Sequence, residues 1–508
     1  MFKSHPRERL IFTKRKPKPR RNLSWLWVIL SLLLSLMVLE LITRIVMEVS
    51  GKKKESSQSQ TETQIRKAYR LKFVTENGQP YQTIGVDGTL VAQRSVSLGY
   101  QLIPNQKNQY WQINEQGFRD TESISTVKPK DEIRIFLLGG STAFGYGSFN
   151  NQETISEQLE ARLNQRVQQQ KDSPQMYRSN LVLEDETGKK QAEDEAGKKQ
   201  AEDEAGKKQA ATKPLKIKSG NYRVINAAVP GYASGNELAQ LALDVLRYKP
   251  DLIVVLDGYV DLMLPSSQTA IEIPQLEKML DDGPTYLRVY LKKSLQPLRD
   301  KIYLVRVIQD NLLSIKPSEQ QVTWLLDEQL NNLAQYFPQD QSESQRRIAR
   351  YFQHHKQMAG LTAGARIPLI IAVQPEITGR NPSRLTAVEG GVTTELGREY
   401  IQKAKQFYPQ FVAASKELAR VFPHNVKTIE LYPLEDEYPA PSFIDAIHLS
   451  TEGNKMLAEQ LYYAIASSPK MQVVPTITKP DTESELQPQS QPQIQSQPQT
   501  QPQLISNP

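Results

Sequence analysis

Five short apolar runs, each followed by turn residues and then by helical periodicity, constrain this chain most. They are Ile133–Leu138, Arg223–Ala227, Leu252–Leu256, Pro368–Val373 and Val426–Leu431. Runs this short, bounded by charge or Gly/Pro, read as strands buried on both faces rather than helices. Between them Ile155, Leu159 and Leu163 recur at helical spacing, and Leu238, Leu241, Ala242, Val245 and Leu246 form a stripe that Lys249-Pro250-Asp251 stops. Ser450 or Thr451 N-caps a last helix with Met456, Leu457, Leu461 and Tyr462 on one face. Strands alternating with helices predict an α/β fold, a three-layer α/β/α sandwich around a mainly parallel five-stranded sheet. Ligand sites in such sheets lie at the C-terminal strand ends.

The rest of the 508 residues divides by composition. Hydrophobic residues make up 38%, low for a globular chain, because several segments are almost wholly polar. The net charge of +7 is uneven: Lys3, Arg7, Arg9, Lys14, Arg15, Lys16, Lys18, Arg20 and Arg21 precede an apolar stretch. A basic block in that place is a topology signal, so no nucleic-acid partner is expected. Residues 1–22 read as a cytoplasmic leader and 23–49 as an uncleaved transmembrane anchor, since no A-x-A site follows the apolar run. Glu40 and Arg44 sit four apart within it, on one helical face. The leader outweighs Lys52-Lys53-Lys54 on the far side, which places the N-terminus in the cytoplasm and the body of the chain outside the membrane.

Residues 50–96 form a polar linker and an N-terminal extension, with hairpin signals at Glu76-Asn77-Gly78 and Val86-Asp87-Gly88. The main domain covers 97–470, interrupted by a charged insertion at 172–218 and a helical excursion at 262–365 that includes a pattern at Val322–Leu333. The insertion carries Glu-Asp-Glu-(Thr/Ala)-Gly-Lys-Lys-Gln-Ala, starting at Glu184, Glu193 and Glu202. With no apolar face it builds no core and reads as a solvated segment. Residues 471–508 are a Pro/Gln-rich tail without means of burying surface.

Chemistry-bearing residues fall after the strands. Ser141 stands in Gly139-Gly140-Ser141-Thr142, where Gly residues let backbone N–H groups converge. An ordinary strand-to-helix turn with a Ser cap is the alternative there. Gly231, in Val229-Pro230-Gly231-Tyr232, is a candidate to present its N–H to an oxyanion, with a plain Pro-Gly turn as the alternative. Asp257-Gly258-Tyr259-Val260-Asp261 follows the third strand, again with a turn as the alternative. Gln374 and Glu376 follow the fourth and are candidates for substrate binding, with an ordinary loop as the alternative. The chain has five His and no Cys, which excludes disulfides and thiolate metal sites. His354 and His355 are adjacent and diverge by about 100° on a helix, which suits a metal poorly. His424 stands alone before a strand, whereas His448 has Asp445 three residues before it. A Ser hydroxyl becomes nucleophilic when a His takes its proton and a carboxylate orients that His. No metal and no cofactor is expected.

Taken in order, these blocks resemble the SGNH hydrolases, also called the GDSL esterase/lipase family. Gly139-Gly140-Ser141-Thr142 is similar to its first block, Gly231 to the second-block Gly, and Asp445-x-x-His448 with Leu449-Ser450-x-x-Gly453 to the last. Ile113-Asn114-Glu115-Gln116-Gly117-Phe118-Arg119 resembles the lead-in of many extracytoplasmic members. The resemblance implies Ser141 as nucleophile, His448 as base, Asp445 as orienting acid, and the N–H groups of Ser141 and Gly231 as oxyanion donors. It departs at Val260, where the family carries the oxyanion Asn; losing one such donor costs on the order of 10²–10³ in rate. The function implied is a serine ester hydrolase, removing O-acetyl groups from envelope or exported polysaccharide. An O-acyltransferase on cell-surface glycan and a non-catalytic carbohydrate-binding or scaffold protein remain as alternatives.

Overall fold

A computed structural model describes residues 64–74, 88–95, 97–179, 213–270, 330–432 and 441–473, with scattered positions between 30 and 38. The charged repeat, the Pro/Gln tail, most of the expected anchor and residues 271–329 lie outside the described residues. Leu30, Leu32, Leu34, Met37 and Val38 are helical and exposed. Among the described residues no helix is long and apolar enough to cross a membrane.

Strands β1 (Leu71–Val74), β2 (Leu90–Ser95) and β3 (Gly99–Leu102) form a small sheet, and β4 (Gln106–Lys107) pairs with β5 (Gln112–Ile113). The central sheet contains β6 (Glu132–Gly139), β7 (Asn221–Asn226), β8 (Leu252–Asp257), β9 (Leu369–Val373) and β10 (Val426–Glu430), in the order β10-β9-β8-β6-β7. All four pairings are parallel. Side chains alternate across the sheet, as the two-residue period requires. On β6, Ile133, Ile135 and Leu137 enter one core and Phe136 and Leu138 the other.

Helices cover both faces. After β6 come the single turn α1 (Ser141–Phe144) and α2 (Ile155–Asp172), whose Leu159 and Leu163 are buried. α3 (Ser234–Leu243) precedes β8, and the short α4 (Tyr259–Met263) follows it. α5 (Gln341–Gly364) and α6 (Ala387–Val421, broken at Gly397) flank β9. α7 (Thr451–Ala466) closes the chain, N-capped by the Ser450 hydroxyl, which accepts from Gly453 N.

The structure corrects several boundaries. The division expected at residue 96 cuts the small sheet, since β2 and β3 pair across it and Tyr69, Leu90 and Tyr100 belong to the main core. The hairpin signals at 76–78 and 86–88 lie, but for Gly88, outside the described residues. β1 pairs with β2 in parallel, and β2 pairs with β3 antiparallel. The insertion is narrower than 172–218, because Ile217 is fully buried and Arg178 bridges to Leu215. The ordered body passes 470, with Met471 buried and Val473 N bonded to Lys216 O at 3.0 Å. The second half of the 262–365 excursion contains α5, which crosses from β8 to β9; a parallel pair requires such a crossover. Leu330–Tyr336, at the end of the Val322–Leu333 pattern, is a 3₁₀ turn. The stripe at 238–246 also divides, with α3 ending at Leu243, a 3₁₀ turn at Val245–Tyr248 and Ala242 exposed.

Register aligns the C-terminal strand ends. Gly139 sits opposite Leu256 and Asp257 opposite Val373, so the turns after β6, β8 and β9 open along one edge. Neighbours β7 and β8 leave β6 in opposite directions, which puts the strand-order switch beside β6.

Candidate active site

The turn after β6 is the first component. Gly139 has φ +151°, and a Cβ there would fall 2.3 Å from Leu256 O, so only glycine lets the strand end this close to β8. Ser141 is then the first residue of α1, with its N–H among the amides that a helix start leaves without an intrahelical acceptor. The Ser141 side chain is buried.

The loop between β10 and α7 brings the other two groups. His448 Nε2 lies 2.8 Å from Ser141 Oγ, and His448 Nδ1 lies 2.6 Å from Asp445 Oδ2. Asp445 Oδ1 also accepts from Ile447 N at 3.0 Å and His448 N at 2.8 Å. Burial alone would raise the Asp445 carboxyl, but the imidazole and the two amides outweigh it and hold the group down to about 2. An ionised Asp445 accepts from Nδ1–H, which leaves Nε2 as the acceptor for the Ser141 hydroxyl. These three side chains form one continuous hydrogen-bonded chain.

Gly231 reaches the same turn from β7. Ala227 N and Val229 N continue the ladder onto Leu137 O and Gly139 O, at 2.9 and 3.0 Å. Gly231 itself takes φ +87°, which a side chain rarely adopts. The next carbonyl, Tyr232 O, lies 3.2 Å from where a Gly140 Cβ would be. Among the described residues Gly231 N meets no acceptor. Val260 stands at the first turn of α4 with its Cγ2 3.8 Å from that same Gly140 position. It therefore faces the Ser141 turn and presents methyl groups to it.

Asp257 and Asp261, from the same block, point away from the triad into the core. Asp261 accepts from Ser234 N at 2.8 Å and Ser234 Oγ at 2.6 Å, fixing the start of α3. The Ser234 hydroxyl also lies 2.8 Å from His354 Nδ1. Asp257 accepts from Tyr351 OH at 3.0 Å and pairs with His355 Nε2 at 3.1 Å. Burial, the largest single effect, would lower the His355 imidazole, but the charge and hydrogen bond of Asp257, with the Tyr351 carbonyl and Asp261, together raise it. Glu237 is driven well up by burial and by the neighbouring Asp257. Among the described residues no group of three or more His, Asp or Glu is disposed to hold a metal ion. His424 lies just before β10, apart from these groups in the sequence.

The structure does not set Gln374 and Glu376 out as open pocket walls; both are buried. Gln374 Nε2 donates to Thr142 Oγ1 at 2.9 Å, one residue past the nucleophile. Glu376 accepts from Thr378 N at 2.9 Å, from the Thr378 hydroxyl and from Tyr400 OH at 3.1 Å. Burial pushes its carboxyl up to about 7 despite those bonds. Gln374 thus braces the Ser141 turn directly, and the residue after Glu376 ties the loop to the Asp445–His448 loop, Ile377 N donating to Ala446 O at 2.9 Å.

Three contributors went unread in the sequence. Thr142 donates to Ile447 O at 3.2 Å. Tyr146 stacks on the His448 ring, with centroids 4.4 Å apart and planes 21° from parallel. Arg119, the last residue of the lead-in motif, reaches under α1 with Nη1 on Phe144 O at 2.9 Å and Gly145 O at 2.8 Å. The Asn114-x-x-Gly117-Phe118-Arg119 spacing was the available signal: Asn114 Oδ1 closes the turn onto Phe118 N at 3.0 Å, Phe118 enters the core, and Arg119 is sent to α1.

No family model matches the chain, and no curated protein does. Solved structures similar to it include the lipase/acylhydrolase from Enterococcus faecalis, at 13% identity over 66% of this chain and 95% of that one, with a TM-score of 0.31. A GDSL-like lipase from Bacteroides thetaiotaomicron VPI-5482 gives 12%, 66%, 91% and 0.27. The acetyl xylan esterase AlAXEase gives 10%, 66%, 100% and 0.30. Likenesses of this degree decide neither fold nor activity, which rest on the sheet and the site themselves.

Proposed function

We propose that this chain is a serine ester hydrolase of SGNH type. The observation that carries the reading is the hydrogen-bonded series Ser141 Oγ, His448 Nε2, His448 Nδ1 and Asp445 Oδ2 at a C-terminal sheet edge. As Ser141 Oγ bonds to the acyl carbon, its proton passes to His448 Nε2, and Asp445 holds the imidazolium. The N–H groups of Ser141 and Gly231 receive the negative charge that develops on the carbonyl oxygen. Collapse breaks the ester C–O bond, with the Nε2 proton going to the leaving alcohol. Water then attacks the acyl-enzyme by the same route and releases the acid.

The finer reading is removal of O-acetyl groups from an envelope or exported polysaccharide, by a body held outside the cytoplasmic membrane through residues 23–49. It is supported by the basic leader, the apolar run and the N-x-x-G-F-R lead-in. A fluorophosphonate probe should label the full chain and leave Ser141→Ala unlabelled. A folded wild-type protein that takes no label would defeat the proposal. The second reading, a binding protein with a silent site, has Val260 in its favour and predicts that unlabelled outcome.

A further inference from the structure

The N-terminal segment ahead of β6, with the small sheet at its centre, lies outside the strand ends that supply the triad, yet its side chains end on the turns that carry catalysis. Tyr100, on β3, donates its hydroxyl to Pro230 O at 2.7 Å, directly before Gly231. The Tyr232 hydroxyl returns the bond to Tyr100 O, so the oxyanion turn is held on both sides. Arg119 is buried with no carboxylate among its hydrogen-bond partners. Its charge is met by carbonyls at the C-terminal end of α1, by Tyr69 OH at 2.9 Å, and by the Tyr69 and Phe144 ring faces. A buried guanidinium spent on backbone carbonyls is a costly way to fix one turn, and the turn it fixes is the one bearing Ser141. The Tyr69 ring also packs 5.0 Å from that of Tyr146, the ring stacked on His448.

We propose that the N-terminal segment ahead of β6 is a positioning clamp for the active centre: Tyr100 of β3 sets the Gly231 turn, Arg119 after β5 the Ser141 turn, and Tyr69 before β1, acting through Tyr146, the His448 ring. Nucleophile, base and one oxyanion donor then share a single support that precedes them all in the chain. The inference rests on the hydrolase reading for its kinetic consequences and on geometry alone for the rest.

The test uses the full chain with Tyr100→Phe, Arg119→Lys, Tyr146→Phe and Tyr146→Leu. Tyr100→Phe and Arg119→Lys should each lower kcat about tenfold or more with KM unchanged, because a misplaced reacting group costs rate rather than binding. Tyr146→Leu, which removes the stacked ring, should lower kcat about tenfold or more, and Tyr146→Phe, which keeps the ring, should lower it less. A readout independent of turnover is the far-downfield proton NMR resonance of the Asp445–His448 hydrogen bond. It should persist in Tyr146→Phe and broaden or vanish in Tyr146→Leu. Variants that lose thermal stability but keep wild-type kcat and the resonance would reduce the sheet to ordinary packing and overturn the clamp. Should the wild type neither hydrolyse esters nor take a fluorophosphonate, the hydrolase reading fails, and an unchanged resonance in Tyr146→Leu would separately sink the clamp.

Discussion

The hydroxyl of Thr142 donates to the carbonyl of Ile447 at 3.2 Å, joining the residue after Ser141 to the residue before His448 across 305 positions of sequence. Gln374 Nε2 donates to the same hydroxyl at 2.9 Å, so three strand-end loops meet at one buried oxygen. This junction braces the two turns that set Ser141 Oγ 2.8 Å from His448 Nε2, the path of the proposed proton transfer.

Thr142→Val keeps the side-chain shape and removes the junction. It strands the buried Gln374 amide, at a cost of about 1–3 kcal/mol. Urea unfolding should show that loss, and steady-state kinetics should show kcat falling about tenfold with little change in KM. A variant destabilised by this amount but with unaltered kcat would show that the junction serves folding alone.

Asp445→Asn tests the tautomer. An amide in place of the carboxylate donates to Nδ1, moves the imidazole proton to Nε2 and leaves nothing to accept from Ser141. The expected fall in kcat is on the order of 10³–10⁴, with the labelling rate by fluorophosphonate falling in step. Asp445 is held down to about 2, so it stays ionised throughout the neutral range and sets no limb of the pH–rate profile there.

Val260→Asn puts an amide donor opposite the Ser141 turn. Because Val260 already faces that turn, kcat on a simple acetyl ester should rise at least tenfold, toward the 10²–10³ that one oxyanion donor supplies. An unchanged rate would mean that the α4 turn sits too far from the oxyanion for any side chain to reach it.

Glu376 predicts the pH dependence of stability. Its folded value of about 7 lies above the 4.5 of an unperturbed Glu, so the folded state holds the extra proton between them. Stability from this group is full below about 4.5 and lost as pH rises to about 7, by up to about 3 kcal/mol. His355 acts in the same sense, because its raised imidazole contributes stability that disappears as pH climbs through its folded value. His354, lowered by burial, opposes them. Asp445 acts only at lower pH, its contribution being lost between about 3.8 and 2. Urea midpoints should therefore fall from pH 5 to pH 7.5, and Glu376→Gln should flatten the slope by close to one proton.

The five strands were legible because each is a short apolar run bounded by charge or Gly/Pro; the inner strands β6, β8 and β9 are buried on both faces, while the edge strand β10 is only half-buried. α5 and α6 were harder. His354, His355, Arg347 and Arg350 break the apolar stripe of α5, and they are tolerated there only because Asp257, Asp261, Glu343 and the 262–268 carbonyls meet them. The boundary at residue 96 was misplaced for a related reason: a polar linker and a short strand of a small sheet differ little until the sheet's partner is known.

Local order alone determined which residues stand at strand ends, and so named Ser141, Gly231, Asp445 and His448 as candidates, while only the resemblance to the SGNH hydrolases marked Val260 as the odd position. An Asp three residues before a His, or a Gly before a turn, is chemistry written in adjacent residues. Tertiary structure alone decided that His448 Nε2 meets Ser141 Oγ, that Gln374 and Glu376 are buried, and that Tyr100, Arg119 and Tyr146 hold the site. Those contacts join residues far apart in the chain, and they exist only because parallel pairing aligns the ends of β6, β8 and β9 along one edge. Spacing along a sequence carries no record of that alignment.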